Sequence, residues 1–170
     1  MVGVTVVEGD ITEQDVDVVV TAANTPLRGG GGVDGAVHRA AGPELLRACR
    51  ALAPCPPGSA VITPAFGLAP VRWVVHAVGP VFSGSPADPG LLASAYTTSL
   101  RLAADVGARS LAFPSISTGV YGYPHEDAAR ISVEAVLGSG TALDVRLVAF
   151  SRAQAELWTA ALAAAGPGGA

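Results

Sequence analysis

The chain has 170 residues, enough for one domain with a proper hydrophobic core. Half of the residues are hydrophobic and 14% are charged, which excludes an intrinsically disordered chain. Net charge is −4 and the ten basic residues are all arginine; that balance argues against a general nucleic-acid binder, which needs a basic face, and there is no lysine for a Walker A phosphate loop. No apolar run reaches the length of a membrane span. The opening MVGVTVVEGD lacks the basic segment and apolar core of a signal peptide. Cys49 and Cys55 offer neither a metal nor a disulfide framework and read as ordinary thiols in a reducing compartment, so a cytoplasmic location is expected.

Residues 2–7 read as a short β-branched strand. Residues 8–12 (EGDIT) read as a turn, with Thr12 as the cap of a short helix. Residues 17–22 form a continuous apolar strand of the kind buried on both faces. A glycine-rich segment follows over 21–42, TAANTPLRGGGGVDGAVHRAAG, with a helix from about Gly35. Pro43 suits the first turn of a second helix, whose apolar stripe is Leu45, Leu46, Cys49 and Leu52 and which ends in the run 54–58. Residues 59–63 are a strand broken by Pro64, and 72–78, RWVVHAV, a further buried strand that stops at Gly79-Pro80. Residues 83–90, rich in Ser, Pro and Gly, read as a surface loop. Then come a helix over about 91–106, a strand over 109–113, a second glycine-bearing loop over 114–124 (PSISTGVYGYP) and a helix over about 125–137. A strand over 143–150 and a helix over 152–164 complete the pattern. The tail GPGGA, 166–170, is expected to be disordered, leaving 1–165 as one domain.

Strands alternating with helices predict an α/β fold with a largely parallel sheet covered on both faces. In such sheets ligands bind beyond the carboxyl ends of the strands. Both glycine loops leave such ends, so they share one rim. Four consecutive glycines, Gly29 to Gly32, cost much backbone entropy to order. A fold accepts that cost where backbone must approach something closely or adopt φ > 0. Asp34 stands at the mouth of the helix that follows, where free N–H groups and a partial positive charge suit an anion. Two readings stand. Backbone amides hold a phosphate-bearing ligand with Asp34 beside it, or the segment is a flexible surface loop with Asp34 as an ordinary helix N-cap. The second loop adds hydroxyls at Ser115, Ser117 and Thr118. With Gly119 and Gly122 permitting close backbone approach, it can wrap a diphosphate without lysine. His38 falls one turn after Asp34, His76 reads as a core residue and His125 as a solvated helix start; none has the spacing of a metal site. Cys49 and Trp73 read as core, and Cys49 not as a catalytic thiol.

Four segments, VEGDIT (7–12), AANTPLRGGGGVDGAVHRAAG (22–42), VVHAVGP (74–80) and PSISTGVYGYP (114–124), resemble the macrodomain family, specifically its MacroD-type hydrolase branch. The resemblance implies a three-layer α/β/α sandwich with a largely parallel, mixed central sheet. It implies a hydrolase that binds ADP-ribose, removes mono-ADP-ribose from acidic protein side chains and deacylates O-acyl-ADP-ribose; the alternative is a non-catalytic ADP-ribose reader. No cofactor and no metal are implied, since a zinc-dependent branch carries Cys and His in the first loop and 27–33 contains neither. The expected partners are ADP-ribose and a mono-ADP-ribosylated protein or O-acyl-ADP-ribose substrate, with no sequence-specific nucleic acid, no membrane, and a monomeric state.

Carried over residue by residue, the resemblance gives Asp10 the adenine amino group, with Ile11 beside it and Phe150 as an aromatic against the base. Ser117, Thr118, Gly119, Val120 and Tyr121 match the diphosphate loop, and Tyr121 also flanks the distal ribose. Gly30, Gly31, Gly32 and Val33 match the loop over the phosphates and distal ribose. Asn24 and Asp34 match the catalytic pair at that ribose. An anion beside a diphosphate is repelled and needs a compensating task; binding ribose hydroxyls or orienting water at the anomeric carbon would supply one. The family's Asn-Ala-Ala-Asn reads Thr21-Ala22-Ala23-Asn24 here. Thr21 is shorter and lacks the amide's paired donor and acceptor, so ribose contacts, substrate preference or rate are expected to change there.

Overall fold

The computed structural model describes residues 3–166. β-Branched runs make most of the strands: β1 (Gly3–Glu8), β2 (Val18–Ala22), β3 (Ala60–Pro64), β4 (Trp73–Ala77), β5 (Ser110–Phe113) and β6 (Asp144–Ala149). The helices are α1 (Gly32–Ala41), α2 (Pro43–Arg50), α3 (Asp88–Asp105), α4 (His125–Gly138) and α5 (Arg152–Ala165), with short 3-10 turns at Ile11–Glu13 and Phe66–Leu68.

The strands form one sheet in the order β1-β6-β5-β2-β4-β3. Neighbours run parallel except β3, which pairs antiparallel with β4 at the edge. Side-chain alternation along β2 shows why the strand is apolar throughout. Val18 and Val20 join the core under α3, α4 and α5, while Val19 joins Val37 of α1 and Leu45 of α2 on the other face. Trp158 of α5 is fully buried and its indole N–H donates to Ser132 Oγ on α4 at 2.9 Å. The chain is thus a three-layer α/β/α sandwich.

This topology sets the site. β1, β6, β5, β2 and β4 are parallel, so their carboxyl ends share a rim, in that order. Along it lie Asp10, Phe150, the 114–124 loop, the 23–31 loop and Gly79. From β1 to β2 is three strand spacings, about 14 Å.

Several boundaries differ from expectation. Helix α1 starts at Gly32, not Gly35, so Asp34 lies within its first turn. Helix α3 starts at Asp88, not Leu91, because the Asp88 carboxylate gathers the amides of Ser83 (2.9 Å) and Gly84 (3.1 Å) into the helix start. The turn after β1 is capped by Asp10, not Thr12: its carboxylate accepts from the Thr12 amide at 2.8 Å and hydroxyl at 2.6 Å. The buried stripe of α2 is only Leu45 and Cys49; Leu52 is exposed. β6 ends at Ala149 and frees Phe150 from the sheet. The tail beyond Gly166 lies outside the described residues. No described helix is long and apolar enough to cross a membrane.

Candidate active site

The first loop is folded by its own asparagine. Asn24 Nδ2 donates to the Gly29 carbonyl at 3.0 Å, and Asn24 Oδ1 accepts from the Arg28 amide at 3.1 Å. Gly29 (φ +77°) and Gly32 (φ +59°) take left-handed backbone that other residues resist. Gly31 caps α1 with no side-chain hydrogen bond, so the first-turn amides remain open. Asp34 is not the cap. It is 5% exposed, and Thr21 Oγ1 donates to its Oδ1 at 2.9 Å. His38 Nε2 lies 3.6 Å from the same oxygen. Burial pushes the Asp34 carboxyl above the usual range, and the Thr21 hydrogen bond and His38 offset only part of that.

The second loop is closed by hydrogen bonds from the Tyr123 amide to the Ser117 carbonyl and from the Gly122 amide to the Gly119 carbonyl, both 2.9 Å. Ser117 is left-handed at φ +67°, a conformation that costs a non-glycine residue about 1–3 kcal/mol and clusters at functional sites. Its hydroxyl is buried without a partner, against Gly79, where any side chain would collide with it. Among the described residues, the amides from 117 to 121 donate to no protein acceptor.

Beyond β1 and β6, the Thr12 hydroxyl and amide hold the exposed Asp10 carboxyl below its usual range. Ile11 is buried beside it, and the Phe150 ring is 79% exposed. Gln154 also lines this wall, buried, with no partner for its Nε2. Sequence reasoning missed it. The Ser151–Gln154 spacing of a capping box was the available signal, and only the bond from the Gln154 amide to Ser151 Oγ (3.2 Å) forms.

One cleft of about 880 Å³ unites these parts, and every site residue inferred from the sequence lines it, together with others that include Gly79, His125 and Gln154. Among the described residues, no arginine is in its wall. Behind Asp34 lies a buried polar layer. Thr21 pairs with His76 across β2 and β4, and His76 Nε2 lies 3.0 Å from Thr63 Oγ1. Burial pushes His76 down to about 3, so it stays neutral, as a core histidine should. Cys49 Sγ lies 3.6 Å from each nitrogen of His76, and burial with the Asp34 charge pushes the thiol up to about 11, far from a nucleophile. His38, Cys49 and His76 bring their polar atoms within 4.8 Å of one another, a gathering their sequence spacing does not reveal. Trp73 is half-buried under the Arg72 guanidinium, 4.4 Å from its ring, and the core tryptophan is Trp158.

This sheet order, with paired loops over one rim, defines the class: the Macro domain model matches residues 20–132, and the chain belongs to that family. Particular relatives narrow the branch. The chain is 59% identical over 140 residues to a Macro domain-containing protein of Streptomyces griseus, across 79% of this chain and 78% of that one. It is 56% identical over 136 residues to the O-acetyl-ADP-ribose deacetylase of Enterobacter cloacae, across 77% and 75%. Among solved structures, the Oceanobacillus iheyensis macrodomain with ADP matches at a TM-score of 0.89 and 40% identity, over 94% of this chain and 89% of that one. The Trypanosoma brucei macrodomain in complex with ADP-ribose matches at 0.84 and 40%, over 91% and 67%.

Proposed function

We propose that this chain binds ADP-ribose along the cleft and hydrolyses O-acyl-ADP-ribose and ADP-ribosyl esters of acidic protein side chains. One observation carries the reading. Among the described residues, two rows of amides without protein acceptors, at the first turn of α1 and over 117–121, line a cleft with no arginine in its wall and with a buried carboxylate, Asp34. Such amides suit a diphosphate. In this reading adenine lies between Asp10, Ile11 and Phe150, the phosphates between Gly30 to Val33 and Ser117 to Tyr121, and the distal ribose against Asn24 and Asp34, an arrangement that the order of the strands along the rim supports. The names of the deacetylase relative and of the ADP-ribose-bound neighbour support the same ligand.

With an ADP-ribosyl ester, water attacks the anomeric carbon of the distal ribose, the bond from that carbon to the ester oxygen breaks, the carboxylate leaves, and Asp34 takes the proton from water. With O-acyl-ADP-ribose, water attacks the acyl carbonyl carbon, Asp34 takes its proton, and the bond from that carbon to the ribose oxygen breaks, the ribose oxygen regaining the proton as the hydroxyl leaves. A carboxyl raised by burial is a better base near neutral pH. Asn24 Nδ2 has a second N–H beyond the one held by Gly29, and in this reading it binds a ribose hydroxyl. The test is incubation with O-acetyl-ADP-ribose and, separately, with a protein mono-ADP-ribosylated on glutamate. Release of ADP-ribose by substoichiometric protein is the expected result. Tight binding without release would make the chain a reader, and no binding would remove both readings.

A further inference from the structure

We propose that Thr21 is a positioning residue for this reaction, its buried hydroxyl fixing one oxygen of Asp34 so that the other is presented to the distal ribose and its attacking water. The inference rests on the catalytic reading of Asp34. It turns the chain's departure from the family motif into a specific contact.

Thr21 is fully buried near the end of β2, and its hydroxyl donates to Asp34 Oδ1 at 2.9 Å. Asp34 sits on α1, so this hydrogen bond ties the sheet to the helix that carries the carboxylate. Among the described residues, no hydrogen bond holds Asp34 Oδ2, and Asp34 lines the cleft. The charged or titratable groups near the carboxylate are His38 on its own helix, 3.6 Å away, and the buried Cys49 of α2; His76 of β4 lies behind them, its ring 6.1 Å from that of His38. Cys49 is a neutral thiol and His76 a neutral imidazole. Thr21 is therefore the sole hydrogen-bond donor to Asp34 within 3 Å among the described residues. A neutral donor on a carboxylate favours its ionised form and restricts its rotation. Without that hydroxyl, Oδ1 would be buried with no donor. The carboxyl would then protonate more readily and turn more freely.

The experiment compares Thr21→Val, Thr21→Ser and Asp34→Ala with the parent, measuring O-acetyl-ADP-ribose hydrolysis against pH and the Asp34 carboxyl titration by ¹³C NMR. Valine keeps the β-branched shape and removes only the hydroxyl. Thr21→Val should lower kcat about tenfold, the size of one hydrogen bond to a charged group, with KM within about twofold. The acid limb of its kcat profile and the NMR midpoint should both move to higher pH. Thr21→Ser should restore rate, limb and midpoint. A merely structural Thr21 would lower melting temperature without moving either pH readout. Parent kcat and an unmoved midpoint in folded Thr21→Val would overturn the proposal, even with Asp34→Ala inactive. Asp34→Ala at the parent rate would instead overturn the reading it rests on, and the NMR midpoint would still decide whether Thr21 controls the carboxylate.

Discussion

Gly35→Ala is the most informative perturbation away from the chemistry itself. Gly35 is buried in the first turn of α1, under the glycine loop. A Cβ there would collide with the Gly30 carbonyl oxygen and lie 3.1 Å from Arg39 Nη1. The arginine end can swing away, but the carbonyl belongs to the backbone of the proposed phosphate cradle. Ordinary contact begins at 3.4 Å, so Gly30 must retreat by about 1 Å. Alanine in a helix gains up to about 1 kcal/mol over glycine, less than the about 1–3 kcal/mol that forcing a backbone aside costs. We therefore expect the melting temperature to fall by about 2–8 °C while the protein stays folded at 25 °C, since 1 kcal/mol is about 2–4 °C at this size. Turnover should fall about a hundredfold, because a misplacement of this size at a reacting centre costs that much. ADP-ribose affinity, by calorimetry, should fall about tenfold, the value of one charge-assisted hydrogen bond lost from the cradle. Gly138→Ala in the last turn of α4 is the control, as its Cβ would meet nothing within 4 Å. Parent affinity and turnover in a folded Gly35→Ala protein would show that the Gly30 backbone takes no part in binding.

Asp34→Asn should lose about a hundredfold in turnover, the scale of a positioned acid–base group, while keeping an acceptor for Thr21. It should also gain stability at pH 7. The folded carboxyl is raised, so its contribution is fully present below the ordinary value of 3.8 and is lost as pH rises through the folded value. Melting curves should show the variant ahead of the parent at neutral pH and level with it near pH 3.8; a deficit at neutral pH would contradict the burial argument. Asp10→Ala should weaken ADP-ribose binding about tenfold, the size of a charge-assisted hydrogen bond, and unchanged calorimetry would defeat the adenine assignment. Gly119→Glu should abolish binding by bulk and repulsion, whereas Gly119→Ala should fold normally, because a Cβ there meets nothing within 4 Å. Normal binding by Gly119→Glu would put the phosphates elsewhere.

The strands were legible because valine runs buried on two faces leave a period-free apolar signature, as at Val18, Val19 and Val20. The two loops were legible through glycine, and the sheet does place both on one rim. The start of α1 was not legible. Glycine is a poor helix former, yet Gly32 begins the helix, because the entry needs left-handed backbone (φ +59°), which glycine adopts without strain. Asp88 was hidden for a related reason: a Ser, Pro and Gly run reads as loop until its carboxylate is seen gathering Ser83 and Gly84. The contact between Thr21 and Asp34 was out of reach because it joins β2 to α1 across the glycine loop. Sequence showed only the missing amide, not the hydroxyl that bonds instead. Gln154 escaped because its Ser151 spacing announces a helix cap, not a cleft wall.

Neighbouring β2 and β5 pair Val18 with Leu111 and Val19 with Ala112, so segments about ninety residues apart hang the two amide rows side by side. The exposed 81–87 loop divides the chain between them. On one side lie Asp10, Asn24 and Asp34; on the other lie the 114–124 loop, Phe150 and Gln154. Each half holds one wall of the cleft and cannot close it alone. A ligand lying along the rim is therefore a staple across the seam. At one hundred times its dissociation constant it adds about 2.7 kcal/mol to the joined form. A chain nicked in the 81–87 loop would turn that staple into an assay, its halves holding together in proportion to the ligand that spans them.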